Sequence, residues 1–305
     1  MRKQEKFIHR LLATVLTSFL TLVATGALIF GLLKWNFKYN ETFLTEAYTP
    51  IIGFMGNIMM QDLYRMYQKS FPEINIKSPT EAWNHFVCDD PAMNVKLFES
   101  HGLKIEVENL DRVPTQGGLI VIANHRTALD TPILISILSK LRNNVKSVRT
   151  IQPYVDTSKA HPSKLHIIDL SGKIISGGYE KINQTLSDNG TIIIFPQPIA
   201  TSKDVKTGVL KIALENKVPI LLVKLEFRDK WWTPLMNVFP SGMRDVLMMV
   251  AMWRCKNTLF KVKFGSTKSV KELQELTKEG LIEVNGVKKY NPEIVKTFMR
   301  QINSI

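Results

Sequence analysis

Two residues, His125 and Asp130, have the types and spacing that acid–base chemistry asks for. They sit within GGLIVIANHRTALDTPILI, residues 117–135. An imidazole has two ring nitrogens. When a carboxylate holds one of them, the other is oriented to take a proton near neutral pH. A base of that kind activates an alcohol for attack on an acyl carbon such as that of a thioester. Two plainer readings of the same residues stay open. Asp130, just before Thr131-Pro132, also suits a helix N-cap, and His125 also suits an ordinary loop position.

The pattern around the pair tells how it would be positioned. The apolar run ending at Asn124 reads as a strand, and Thr131-Pro132 reads as a helix start. His125 is therefore expected at a strand end and Asp130 at the first turn of a helix, close enough to meet across a short loop. Beyond residue 102 the same alternation continues. Strands are expected at 103–108, 118–123, 146–151, 164–168, 191–195, 218–225 and 258–264. Helices are expected near 131–141, 173–188, 205–216, 268–279 and 291–302. Strands alternating with helices predict an α/β fold, a layered, largely parallel or mixed sheet flanked by helices.

The N-terminal part has a different character. Arg2, Lys3, Lys6 and Arg10 precede LLATVLTSFLTLVATGALIFGLL, residues 11–33, which carry no charge. As a helix this run would be roughly 34 Å long, against a hydrocarbon core of about 30 Å. It exceeds the apolar region of a cleaved signal peptide, so a retained membrane helix is expected. Trp35, Phe37 and Tyr39 with Lys34 and Lys38 read as its interfacial anchor. Ile51, Phe54, Met55, Ile58, Met59, Leu63 and Met66 recur at helical spacing over 47–67 and form one apolar face, which core packing explains most simply. Pro72, Pro79 and Pro91 mark 70–95 as an irregular linker or cap. The expected organisation is a membrane anchor at 1–40, an amphipathic helix and linker at 41–100, and an α/β domain at 101–305.

Composition narrows the function classes. Lys plus Arg number 40 against 27 Asp plus Glu, for a formal net charge of +13. Such a balance suits an anionic partner, whether a membrane surface, a nucleotide-bearing donor or an acidic carrier protein. The basic residues are scattered and do not interleave with aromatics, so a nucleic-acid partner is not expected. Cys88 and Cys255 form no CxxC pair, which argues against a disulfide framework or zinc site. The sequence has no GxSxG elbow, no GxxxxGK[ST] loop, no GxGxxG and no HExxH. His9, His85, His101, His161 and His166 lack metal-ligand spacing, and no metal or cofactor is expected.

Four segments in order resemble the blocks of the glycerolipid acyltransferases, the family of 1-acylglycerol-3-phosphate acyltransferases. NHRTALD at 124–130 resembles its NHxxxxD block. HIIDLSGK at 166–173, with Asp169, looks like the second block, and TIIIFPQP at 191–198 like the third. KTGVLKIALENKVPILLV at 206–223 is similar to the segment that ends its core. The resemblance spans about 117–225. It implies transfer of a fatty acyl group from acyl-CoA or acyl-carrier protein to a lysolipid or glycerol-phosphate-type hydroxyl. His125 would be the general base and Asp130 its orienting partner. Asn124, Arg126, Asp169, Lys173, Phe195, Pro196, Gln197, Lys203, Lys206 and Gly208 would contact substrate.

Two departures bear on the acceptor. The third block of the family usually reads FPEGTR, and here Gln197 and Pro198 replace its carboxylate and glycine. Leu170 stands where the second block commonly has arginine. A bidentate fork for phosphate is thus missing at both expected places. Lys173 and Lys203 are the nearby point charges. The alternative is an inactive membrane- or lipid-binding relative of the same fold. Membrane lipids, the acyl donor and a lysolipid acceptor are the expected partners. The expected location is the membrane, with one N-terminal anchor and the catalytic domain on the cytoplasmic face, where the donors are.

Overall fold

The computed structural model describes residues 60–88, 91–125, 129–149, 167–169, 175–197, 205–228, 259–284 and 287–305. The expected membrane helix at 11–33 lies outside them, as do Ile51, Phe54, Met55, Ile58 and Met59 of the amphipathic pattern. Among the described residues no helix is long and apolar enough to cross a membrane.

Seven strands form one mixed sheet: β1 (Lys104–Glu108), β2 (Leu119–Ala123), β3 (Val145–Arg149), β4 (Ile167–Asp169), β5 (Thr191–Ile194), β6 (Ile220–Arg228) and β7 (Leu259–Lys268). Their spatial order is β1-β7-β6-β2-β5-β3-β4. Strands β6, β2, β5, β3 and β4 run parallel. β7 is antiparallel to β6, and β1 is parallel to β7. The sheet is thus mixed rather than wholly parallel. Central strand β2 is LIVIA, buried at every position. A strand covered on both faces has no reason to alternate, which is why it reads as a continuous apolar run.

Helices cover both faces. On the first face lie residues 60–70 (α1), α2 (Pro79–Cys88), α3 (Pro91–Ser100) and α4 (Asp130–Leu138). Leu63, Met66, Tyr67, Ala82, Leu97 and Phe98 pack there with Leu119, Val121, Ala123, Ile193, Val223, Leu225 and Phe264. The apolar stripe read from Leu63 and Met66 is therefore core. The Tyr67 hydroxyl, buried deeply enough that its proton is held well above the usual phenol range, donates to Asn94 Oδ1 at 2.6 Å. That bond joins α1 to α3.

The expectation of an irregular 70–95 is corrected by α2 and α3. Pro79 and Pro91 are the first residues of these helices. At that position the missing N–H has no intrahelical partner to lose, so proline starts the helix instead of breaking it.

The second face is covered by α5 (Ile175–Ser187), α6 (Gly208–Glu215), α7 (Val270–Leu276) and α8 (Pro292–Ser304). Ile182, Leu186, Leu210, Ile212, Leu273, Val295, Phe298 and Ile302 pack against Ile120, Ile122, Ile192 and Leu222. A two-stranded hairpin, β8 (Leu281–Val284) with β9 (Val287–Tyr290), precedes α8 and was not among the expected strands.

Near β1, β7 and β6 the sheet carries charges in a ladder. Lys261 pairs with Glu106 at 2.6 Å and Glu108 at 3.5 Å. Lys263 lies 3.6 Å from Glu108 and 3.7 Å from Glu226, and Glu226 pairs with Lys224 at 2.9 Å. The Lys224 hydrogen bond holds the Glu226 carboxyl below the usual carboxylate range. A depressed folded value means that this contribution is present above the ordinary carboxylate range. It is lost as pH falls through the folded value. Cross-strand opposite charges of this kind stabilise a half-wet sheet surface and fix its register.

Candidate active site

The carboxyl ends of the parallel strands share one edge, the place where open α/β sheets bind ligands. Residue types follow from that edge inward. Along β2, Leu119, Val121 and Ala123 face the first layer of helices, and His125 follows two residues beyond Ala123. α4 begins at Asp130 in the same layer. Its N-cap, Leu129, has helical angles and makes no side-chain cap bond, so Asp130 is not the cap that one sequence reading allowed.

Asp130 turns to the histidine instead. His125 Nδ1 lies 2.7 Å from Asp130 Oδ2. The carboxylate is fully buried and the imidazole is 24% exposed. A buried acid thus holds one nitrogen of a ring whose edge reaches solvent. With the carboxylate accepting, Nδ1 carries the proton and Nε2 is the basic nitrogen of the neutral tautomer.

Two further residues fix the ring and the backbone that carries it. Phe195, the first residue past β5, stacks on the imidazole with centroids 4.7 Å apart and planes 26° apart. Asn124 is 5% exposed. Its Oδ1 accepts from the Leu225 N–H at 2.7 Å, and its Nδ2 donates to the Leu225 carbonyl at 2.9 Å. The backbone ladder between β2 and β6 ends at Ala123 opposite Val223, while β6 runs on to Arg228. The Asn124 amide acts as one more rung past the strand end. Expected as a substrate contact, Asn124 has both ends of its amide bonded to β6. Sequence offered no signal for this bond, because its partner is a backbone 101 residues away.

The remaining expected residues fall into three groups. Phe195, Pro196 and Gln197 follow β5 at the same edge, and the Lys206 N–H donates to the Pro196 carbonyl at 2.8 Å. That bond draws the segment before α6 to the turn after β5. Lys206 itself is exposed, and Gly208 opens α6. Among the described residues, a Cβ at Gly208 would meet only the Tyr179 hydroxyl oxygen, at 3.7 Å. Asp169 ends β4 on the same edge. Three strand spacings, about 14 Å, separate β4 from β2. Arg126, Lys173 and Lys203 lie outside the described residues. Among the described residues no group of three His, Cys, Asp or Glu is placed to hold a metal ion.

The segment that carries this site is similar to known proteins. Residues 104–225, about two-fifths of the chain, match the family model Acyltransferase. No curated protein matches the chain. Among solved structures, the 1-acyl-sn-glycerophosphate (LPA) acyltransferase PlsC from Thermotoga maritima is similar over 79% of this chain and 94% of its own, at 16% identity and a TM-score of 0.39. The matched segment begins at β1, ends within β6 and contains His125, Asp130, Asn124 and Phe195, and over that segment the chain is similar to the Acyltransferase family.

Proposed function

We propose that the protein transfers a fatty acyl group from acyl-CoA or acyl-carrier protein to the hydroxyl of a lysolipid or glycerol-phosphate-type acceptor. The observation that carries this reading is the 2.7 Å contact between His125 Nδ1 and Asp130 Oδ2 at the carboxyl edge of the sheet, inside the family segment. In this mechanism His125 Nε2 takes the acceptor's proton as the alcohol oxygen attacks the thioester carbon. The C–O bond forms and negative charge gathers on the former carbonyl oxygen. The intermediate collapses, the C–S bond breaks, and the leaving thiolate takes the proton back from the imidazolium. Asp130 holds the ring in one tautomer and stabilises the transient cation. No covalent acyl-enzyme is required. Arg126, Asp169, Lys173, Gln197, Lys203, Lys206 and Gly208 remain candidates for the acceptor and donor contacts.

Phe195 contributes in the same step. An aromatic face beside the ring attracts the imidazolium more than the neutral imidazole, so the stack favours the protonated state that forms on the way to the transition state. Phe195→Leu keeps apolar volume and removes the ring face. An aromatic contact worth about 1 kcal/mol predicts a fall in kcat of about fivefold with little change in KM, read from steady-state kinetics.

The apolar run at 11–33 supports a membrane location for the enzyme, and the donor's chemistry supports a site facing the cytoplasm. The changed third block, Phe195-Pro196-Gln197-Pro198, favours the second reading of a lipid-binding relative without turnover. One assay separates the two. The full chain in membranes is given labelled acyl-CoA or acyl-carrier protein with a panel of lysophosphatidic acid, neutral and zwitterionic lysolipids and glycerol phosphate. Acylated product from one acceptor class supports the enzyme. Binding of the same lipids with no product from any pairing overturns it in favour of the binding protein.

A further inference from the structure

We infer that Asn124 is a positioning residue: its side-chain amide extends the β2–β6 ladder past the strand end and thereby fixes the backbone from which His125 reaches Asp130. The inference rests on the acyl-transfer reading for its kinetic test and on geometry alone for its structural one.

The geometry is specific. β2 stops pairing with β6 at Ala123, and α4 begins at Asp130, so the chain leaves the sheet just past Ala123. A chain leaving a sheet loses its ladder bonds, and the β6 backbone beside it is left with an N–H and a carbonyl to satisfy. The Asn124 side chain meets both, with an acceptor at 2.7 Å from the Leu225 nitrogen and a donor at 2.9 Å from the Leu225 oxygen. Only a primary amide, or a neutral carboxylic acid of the same length, presents one acceptor and one donor in that fork. The residue is buried, so the bonds do not compete with bulk water. One peptide further on, the imidazole must meet a carboxylate fixed on α4 and a ring fixed past β5. A backbone anchored to β6 brings these three elements to one point. Rate losses of about 100-fold follow from displacements near 1 Å in such constellations.

The chemistry of the fork supplies the test. Asn124→Ala removes both bonds. Asn124→Asp keeps the size and, when ionised, keeps the acceptor but turns the donor into a second acceptor facing the Leu225 carbonyl. Protonation restores the donor. The neighbouring titratable groups are His125 with its partner Asp130, and Lys224 and Glu226 flanking Leu225 and paired at 2.9 Å. Glu226 is held ionised to lower pH by Lys224 in both proteins, and the ratio of variant to wild-type kcat removes the pH dependence that the two share.

The full-length protein in nanodiscs is assayed across pH with the acceptor that the wild type uses. Asn124→Ala is expected to lower kcat by about 100-fold and to change KM by less than about threefold. The Asn124→Asp ratio is expected to rise tenfold or more as pH falls. A KM effect alone in Asn124→Ala, or a flat ratio in Asn124→Asp, overturns the inference. In parallel, 15N spectra of the histidine ring report the Nδ1–H bond to Asp130. That bond is expected in the wild type and lost or weakened in Asn124→Ala. A ring signal unchanged by the substitution overturns the inference even in a protein that transfers no acyl group. An inactive wild type with the expected ring signals removes the acyl-transfer reading and leaves the positioning role standing.

Discussion

Replacing His125 by alanine is expected to slow acyl transfer by about 1,000-fold, in the middle of the range that a positioned general base supplies. The loss should fall on kcat, because the proton moves only as the C–O bond forms, and KM should stay within a few-fold. Asp130→Asn is expected to come within about tenfold of the same defect, although it keeps the side chain's size in a fully buried position. The amide can turn its NH2 toward Nδ1, which selects the tautomer with the proton on Nε2, the nitrogen that must accept. The double variant should be little worse than His125→Ala alone, since the acid acts through the ring and has nothing to orient once the ring is gone. Labelled-donor assays of the wild type and the three variants, each with a thermal unfolding curve, check this. Product at the wild-type rate from His125→Ala would remove the imidazole from the reaction. Additive losses in the double variant would give Asp130 a separate role.

Local spacing made this pair legible. His125 and Asp130 are five positions apart, and the strand end and helix start that carry them are both written in the residues between Leu119 and Pro132. The central strands were legible for a related reason, since LIVIA of β2 is buried at every position and TIII of β5 at its first three, so neither alternates with polar residues. Prolines misled where context decides their meaning, because Pro79 and Pro91 begin helices in a stretch expected to be irregular. The β8–β9 hairpin carries a sequence signal of its own: Asn285-Gly286 between LIEV and VKKY is the dipeptide that two-residue hairpins favour. Other features could not be read. The Asn124 rung joins residues 101 apart, and Phe195 reaches His125 only because the sheet order sets β5 beside β2. Asp169 shows the converse. Its block is legible in sequence, but the same sheet order sets its strand three positions from β2. Sequence reveals which segments pair with their neighbours in the chain; the strand order that assembles a site from distant segments comes from packing.

The second large effect is expected at the opposite edge of the sheet. Arg142 follows α4 and is only 4% exposed. Its Nε donates to the Thr191 hydroxyl, Nη1 to the carbonyls of Pro114 and Gln116, and Nη2 to those of Gly117, Asn189 and Gly190. These groups lead into β2 and β5, so one guanidinium ties together the entries of the two strands that carry His125 and Phe195. The loops there leave little slack: a Cβ on Gly118 would lie 2.6 Å from the Leu186 carbonyl oxygen, and one on Gly190 2.6 Å from that of Thr185. Burial pulls the guanidinium's proton affinity down, yet arginine stays charged at any working pH. Its charge is met by the dipoles of carbonyls that need a donor. Arg142→Met fills much of the same space and leaves those oxygens buried without partners. Loss of a buried, multiply bonded charge of this kind predicts destabilisation of about 3–5 kcal/mol. For a domain of this size that is a fall in Tm on the order of 10 °C. Arg142→Lys should recover less than half of it, because a point ammonium cannot reach carbonyls on two loops at once. Both variants, assayed well below their melting temperatures, should keep kcat within about threefold of the wild type, since additivity holds for sites as far apart as opposite sheet edges. Thermal unfolding with parallel kinetics tests the division. A stable Arg142→Met protein would show that the carbonyls find other donors, and a folded one with kcat lowered by 100-fold would show that the lower edge governs the geometry of the upper.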